Sequence, residues 1–179
     1  MTAIAGFCEQ GKVWIGGDSA GVAGFDLTVR ADPKVFQNGE FLFGFTSSFR
    51  MGQLLRYSFS PPVMAEGQNV YGFMCTTFVN AVRDCLKAGG FATKDKDVES
   101  AGTFLVGFRG RLFSVQSDYQ VGESLDGYDA CGCGNQIACG ALFATKDMNL
   151  SAVDRMALAL GAAERHSAGV RRPFVVKSI

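Results

Sequence analysis

Three residues near the start of this 179-residue chain could do chemistry together: Thr2, Asp18 sixteen positions later, and Lys34 thirty-two positions after the threonine. A hydroxyl attacks a carbonyl usefully only when a base takes its proton. A free α-amine, with a pKa of about 7.7–8.0, suits that task at neutral pH. Removal of Met1, usual before a small second residue, would give Thr2 both groups. A nearby lysine favours negative charge on oxygen and lowers the amine's proton affinity, and an aspartate keeps that lysine charged and oriented. Taken singly, each residue also has a plain reading: an ordinary terminus, a turn aspartate, a solvated strand-end lysine.

The elements that must position these residues can be read from periodicity. Residues 3–8 (AIAGFC) and 12–16 (KVWIG) are short apolar runs about Glu9-Gln10-Gly11, which predicts a hairpin. Its second strand returns Asp18 toward Thr2. Strands are expected at 27–36 and 39–45, with Asn38-Gly39 as a turn. Helical spacing follows from Phe49 to Phe59, ended by Pro61-Pro62, and again over 69–88 before Gly89-Gly90. Strands return at 101–108 and 111–116, joined by Arg109-Gly110, with another near 127–132. Helices are expected at 135–145 and 151–165, the latter capped by Ser151, and a last strand at 172–177. This order is α+β, and a four-layer αββα sandwich of two antiparallel sheets flanked by helices, in a single domain over 1–179, would use every element.

Composition narrows the partners. The 17 basic and 17 acidic residues cancel, so no long-range field draws the chain to nucleic acid or an anionic membrane. The N-terminus lacks a basic region followed by an apolar one, and no run is long enough to span a bilayer, which predicts a cytoplasmic protein. Of six cysteines, Cys8, Cys75 and Cys85 fall in apolar periodic segments as small buried hydrophobes. Cys131-Gly-Cys133 has the form of a metal half-site but lacks a partner cluster, and His166 is the one histidine, so no metal site is expected.

With these residues in register, the sequence resembles the proteasome β subunits and, in size and style, the HslV peptidases of the Ntn-hydrolase superfamily. Their mature chain begins with threonine, reaches aspartate in a G-D motif sixteen residues on, and places lysine in a K-V context at thirty-two. Thr2, Gly17-Asp18 and Lys34-Val35 match without a gap. The family's G-S-G before its third helix corresponds to Gly132-Cys133-Gly134, and its D-x-x-S-G-G-V to Glu164-Arg165-His166-Ser167-Ala168-Gly169-Val170. Cysteine for serine and glutamate for aspartate are departures. A thiol is the poorer hydrogen-bonding group.

The resemblance implies a threonine endopeptidase, with Thr2 as nucleophile and Asp18, Lys34, Cys133, Glu164 and Ser167 in support. It implies a backbone oxyanion donor within Gly44 to Ser48, and a specificity pocket over Thr46 to Gln53, where Ser47, Ser48, Phe49, Arg50 and Met51 would make it bulky and partly basic. It implies no organic cofactor, a monovalent cation near the last helix in some members, a ring-shaped homo-oligomer, an ATP-dependent unfoldase partner, and peptide or unfolded-protein substrates. A catalytically inactive Ntn-fold subunit that keeps Met1 is the competing reading, and an amidohydrolase of small amides a third.

Overall fold

In the computed structural model, which describes residues 1–95 and 98–179, two antiparallel sheets lie face to face. Strands β1 (Ala3–Glu9), β2 (Lys12–Gly17), β12 (Tyr128–Gly132) and β13 (Val175–Ser178) form one sheet in the order β12-β1-β2-β13. Strands β5 (Val35–Asn38), β6 (Phe41–Phe45), β9 (Phe104–Phe108), β10 (Arg111–Val115) and β11 (Val121–Glu123) form the other, ordered β11-β10-β9-β6-β5. The first hairpin closes through Gln10 and Gly11, both at positive φ, which matches the twist of a two-residue turn; Arg109-Gly110 repeats the device between β9 and β10.

Strand alternation sorts side chains into layers. In β1, Ala3, Ala5 and Phe7 pack against α4 (Asn135–Thr145) and α5 (Ala152–His166), with Leu142, Met156, Leu160 and Ala163. Ile4 points the other way and joins Val13, Ile15, Val35, Leu42, Leu105 and Leu112 between the sheets. The second sheet turns Phe41, Phe43, Phe104, Val106, Phe108 and Phe113 outward. They meet α1 (Phe49–Tyr57) and a long helix built of α2 (Val70–Phe73), a π-helical turn Met74–Phe78 and α3 (Val79–Ala88). Phe41 and Phe108 stack with ring centroids 4.3 Å apart. The result is the expected αββα sandwich.

Two expectations need correction, and one ribbon goes unannounced in the sequence. The run 27–36 is not one strand: β3 (Ala20–Ala23) pairs with β4 (Asp26–Val29) in a separate ribbon, and β5 begins only after Pro33, whose fixed φ and missing N–H break the ladder. The C-terminal strand starts at Val175, beyond Pro173, rather than at 172. A second small ribbon, β7 (Thr93–Asp95) with β8 (Val98–Ser100), is polar and largely exposed and carries no alternating pattern to betray it. The Ser151 cap is as expected, its side chain accepting from Asp154 N.

The space between the sheets is narrow enough to require glycine. A Cβ on Gly44 would lie 2.6 Å from both Ile4 Cγ2 and Ile15 Cγ2. Gly44→Ala should therefore lower unfolding free energy by about 1–3 kcal/mol, the usual cost of overpacking, in urea denaturation followed by circular dichroism.

Candidate active site

Thr2 sits just before β1, and its position is set on three sides. Hairpin register pairs Ile4 with Gly17, so Asp18 follows at the open end of the β1/β2 ladder beside the terminus. On the other side β12 pairs Ala3 with Gly132. Gly132 has φ +96°, and a Cβ there would come within 2.3 Å of Thr2 O, so only glycine lets β12 pass this close. Beyond it Gly134 N donates to Thr2 O at 3.2 Å, which fixes the residue's backbone at the start of α4.

Thr2, Asp18 and Lys34 then meet in a nearly dry cluster, 4 %, 1 % and 1 % exposed. Lys34 Nζ donates to Thr2 Oγ1 at 2.6 Å and to Asp18 Oδ1 at 2.7 Å. Asp18 is fully engaged: Oδ1 also accepts from Ala3 N, and Oδ2 accepts from Ala20 N and Arg171 N, at 2.9–3.1 Å. Burial pushes the Lys34 ammonium below its ordinary 10.5, while the Asp18 carboxylate opposes that shift. Removing one partner of such a pair strands the other charge.

Cys133 and Ser167 complete the surround. Thr2 N donates to Cys133 Sγ at 3.2 Å, and Cys133 Sγ lies 3.2 Å from Ser167 Oγ. Cys133 is exposed, whereas Cys131 is buried and its thiol is pushed up by desolvation, which makes it unreactive. In this structure Met1 remains joined to Thr2, whose hydroxyl donates to Met1 O. The Met1 side chain lies over Gly169.

Glu164 stands apart. Its carboxylate accepts from Arg172 N and Arg172 Nε, both at 2.8 Å, and no hydrogen bond among the described residues joins it to Thr2, Cys133 or Ser167. Burial acts to raise its pKa, but the Arg172 hydrogen bonds outweigh that and hold it below the usual carboxylate range. Its visible work is to brace the loop that supplies Arg171 N to Asp18.

A cleft of about 320 Å³ opens beside Thr2, with Met1, Val22, Lys34, Phe45, Thr46, Ser47, Ser48 and Phe49 along its wall. Arg50 and Met51 are absent from it, which corrects the expectation that they line the pocket. Helix α1 begins at Phe49: Arg50 turns outward and donates to Gly89 O at 3.1 Å, and Met51 falls on the buried face with Leu54 and Leu55. Ser47 holds φ +70°, an uncommon conformation for a side-chain-bearing residue, with its hydroxyl accepting from Thr103 N. Ser48 N donates to Thr46 O, while Ser47 N–H meets no acceptor among the described residues. Val22, Phe45 and the backbone N–H of Arg171 are site components that sequence reasoning missed; the first two lie on strands, and the last carries no side-chain signal.

The loop after α5, where a monovalent cation is expected by resemblance, has its carbonyls in the fold's own hydrogen bonds, each with a second lone pair left over. The carbonyl oxygens of Ala163, Ser167 and Val170 already accept from Ser167 N, Val170 N and Arg171 Nη1, and Arg165 and Arg171 line the adjoining cleft. Among the described residues, no group of three or more histidine, cysteine or acidic side chains is arranged to hold a metal ion. No helix is long and apolar enough to cross a membrane, again among the described residues.

No protein-family model and no curated protein matches the chain. Solved structures do. Thiobacillus denitrificans BPH in complex with epoxomicin superposes with a TM-score of 0.82 at 20 % identity, covering 99 % of this chain and 97 % of that one. Eukaryotic HslV from Trypanosoma brucei gives 0.67 at 15 %, covering 98 % of each chain. An Anbu Gly-1 mutant from a Hyphomicrobium species gives 0.67 at 18 %, covering 98 % of this chain and 81 % of its own. The fold is therefore the proteasome-like Ntn-hydrolase fold, over nearly the whole length of the chain.

Asp18→Asn tests the cluster directly. It leaves the Lys34 charge buried without its counter-ion and should cost about 3–5 kcal/mol in unfolding free energy, measured by urea denaturation. A loss below about 1 kcal/mol, the worth of an exposed pair, would contradict the burial described here.

Proposed function

We propose that the chain is a threonine peptidase of the N-terminal-nucleophile type, active once Met1 is removed. The observation that carries this reading is the 2.6 Å bond from a buried, aspartate-held lysine to Thr2 Oγ1. In a peptide-bonded Thr2 that ammonium can only pin the hydroxyl. With the α-amine free, the same charge favours the alkoxide and lowers the amine's proton affinity.

The steps follow. Thr2 Oγ1 attacks the substrate carbonyl while its proton passes to the α-amine through a water. The developing oxyanion takes the unpaired Ser47 N–H, a role for which Ser48 is unsuited because its N–H is already engaged. The amine returns the proton to the leaving nitrogen, and water then hydrolyses the ester. Cys133 Sγ accepts from the Thr2 nitrogen and orients it, and Ser167 Oγ lies against that sulfur. A ring-shaped homo-oligomer, an ATP-dependent unfoldase partner, and peptide or unfolded-protein substrates in a cytoplasmic setting belong to the same proposal.

The second reading, a structural Ntn-fold subunit, is favoured by the departures at the site: a thiol, Cys133 Sγ, is what holds the Thr2 nitrogen, and the Glu164 carboxylate is taken by Arg172. Intact mass separates the two. The peptidase reading expects a species lacking methionine that hydrolyses fluorogenic peptides, with activity lost in Thr2→Ala and retained in part in Thr2→Ser. Methionine retained on every chain, or undiminished hydrolysis by Thr2→Ala, would overturn it.

A pH profile adds a mechanistic check. With the α-amine as base and Lys34 beside it, kcat/KM should rise with pH to a plateau, with a midpoint at or below about 7.7. A flat profile between about pH 6 and pH 8 would argue against the amine.

A further inference from the structure

We propose that the cleft at the end of α5 binds a phosphate-type dianion between Arg165 and Arg171, and that the bound anion ties the helix to the loop that follows it. The cleft is lined by Gly161, Glu164, Arg165 and Arg171. Its one acid is already matched: Glu164 accepts from Arg172 N and Arg172 Nε, both at 2.8 Å, while Arg171 acts on it only through space. Arg165 has no hydrogen-bond or ion-pair partner among the described residues. The Arg171 guanidinium gives a single bond, from Nη1 to the carbonyl of the preceding Val170 at 2.8 Å. Two positive charges thus face one cleft without a counter-ion. Arg165 lies in the last turn of α5, whose C-terminal partial charge of about −0.5 offsets part of one of them. A carboxylate would still leave positive charge over, whereas a phosphate, at about −1.5 to −2 near neutral pH, takes up the remainder. The planar guanidinium fork also suits phosphate oxygens, two bonds at a time.

Both arginines rise from fixed backbone. Arg165 belongs to α5, and Arg171 is held on two sides, its N–H donating to Asp18 Oδ2 at 3.1 Å and its carbonyl accepting from Ser19 N at 2.9 Å. Gly161, one helical turn before Arg165, clears the floor between them. A Cβ there would meet only Arg172 Nη2, at 3.6 Å, which is ordinary contact. Packing within the chain therefore does not ask for glycine at this helical position, where it is unfavourable; the close approach of a ligand does. An anion held by both guanidiniums spans residues 165–171. That span contains Ser167, whose hydroxyl lies against Cys133 Sγ, and Arg171 N, which donates to Asp18. The anion thereby steadies two supports of the Thr2 cluster, and neither part of the proposal depends on turnover at Thr2.

The test is a calorimetric titration of the full chain with inorganic phosphate at fixed ionic strength, with acetate and a phosphate monoester, AMP, as separate arms. Phosphate should bind once per chain with a Kd of about 1 mM or tighter, and acetate about tenfold or more weakly. Arg165→Gln and Arg171→Gln, each checked for fold by circular dichroism, should each weaken phosphate about tenfold or more, and Lys146→Gln, at the end of α4, should not. AMP binding with the same arginine dependence identifies the source as a phosphorylated small molecule, and phosphate binding without AMP identifies it as the free ion. Hydrogen exchange of the amides in 165–171 should slow when phosphate is added. Absent or unsaturable phosphate binding, binding indifferent to either arginine, equal weakening by Lys146→Gln, acetate binding as tight as phosphate, or saturation without slowed exchange in 165–171 would overturn the proposal.

Discussion

The buried ion pair between Lys34 and Asp18 is the constraint on which the site depends. Two charges at 1 % exposure are tolerable only when each is nearly saturated with partners. Asp18 meets this by accepting four donors drawn from β1, the start of β3, the approach to β5 and the loop after α5. That requirement ties parts of the chain far apart in sequence to one carboxylate. The lysine, held in this way, gives a second of its three N–H donors to the Thr2 hydroxyl.

The surrounding sandwich keeps this cluster dry and fixed. Ile4 and Ile15 of the first sheet press on Gly44 of the second, directly before the Phe45–Ser48 segment that walls the cleft. The same strand that packs the core at Phe41 and Phe43 therefore delivers the cleft residues, and its left-handed exit at Ser47 leaves a backbone N–H without an acceptor among the described residues. On the other flank Gly132 permits the close passage of β12 that puts Cys133 against the Thr2 nitrogen. A rigid core and a strained edge adjoin one another here, as is common where backbone geometry serves a site.

Much of this was legible in the sequence because it rests on short-range periodicity. The short apolar runs AIAGFC and KVWIG about Glu9-Gln10-Gly11 announced the hairpin and thereby the approach of Asp18 to Thr2. The Phe-rich strands and the apolar helices announced two sheets covered on their outer faces. What was illegible has physical reasons. Pro33 split a run whose composition read as one strand, and the β7/β8 ribbon is polar and exposed, without alternation. Arg50 and Met51 were assigned to the pocket by analogy, yet the start of α1 at Phe49 turns one outward and the other into the core. Glu164 lies on the expected helix, but the nearby Arg172 takes its carboxylate. Backbone donors such as Arg171 N and Ser47 N–H leave no mark in residue type at all.

The central claim is that the buried lysine and aspartate activate Thr2 as a nucleophile. The most direct test is covalent labelling of Met1-free protein with an electrophilic peptide analogue, followed by intact-mass and fragment mass spectrometry. The account predicts one adduct per chain, mapped to Thr2 and much reduced in Lys34→Ala. An adduct on the exposed Cys133 with Thr2 unmodified, or labelling of Thr2 indifferent to Lys34, would contradict it.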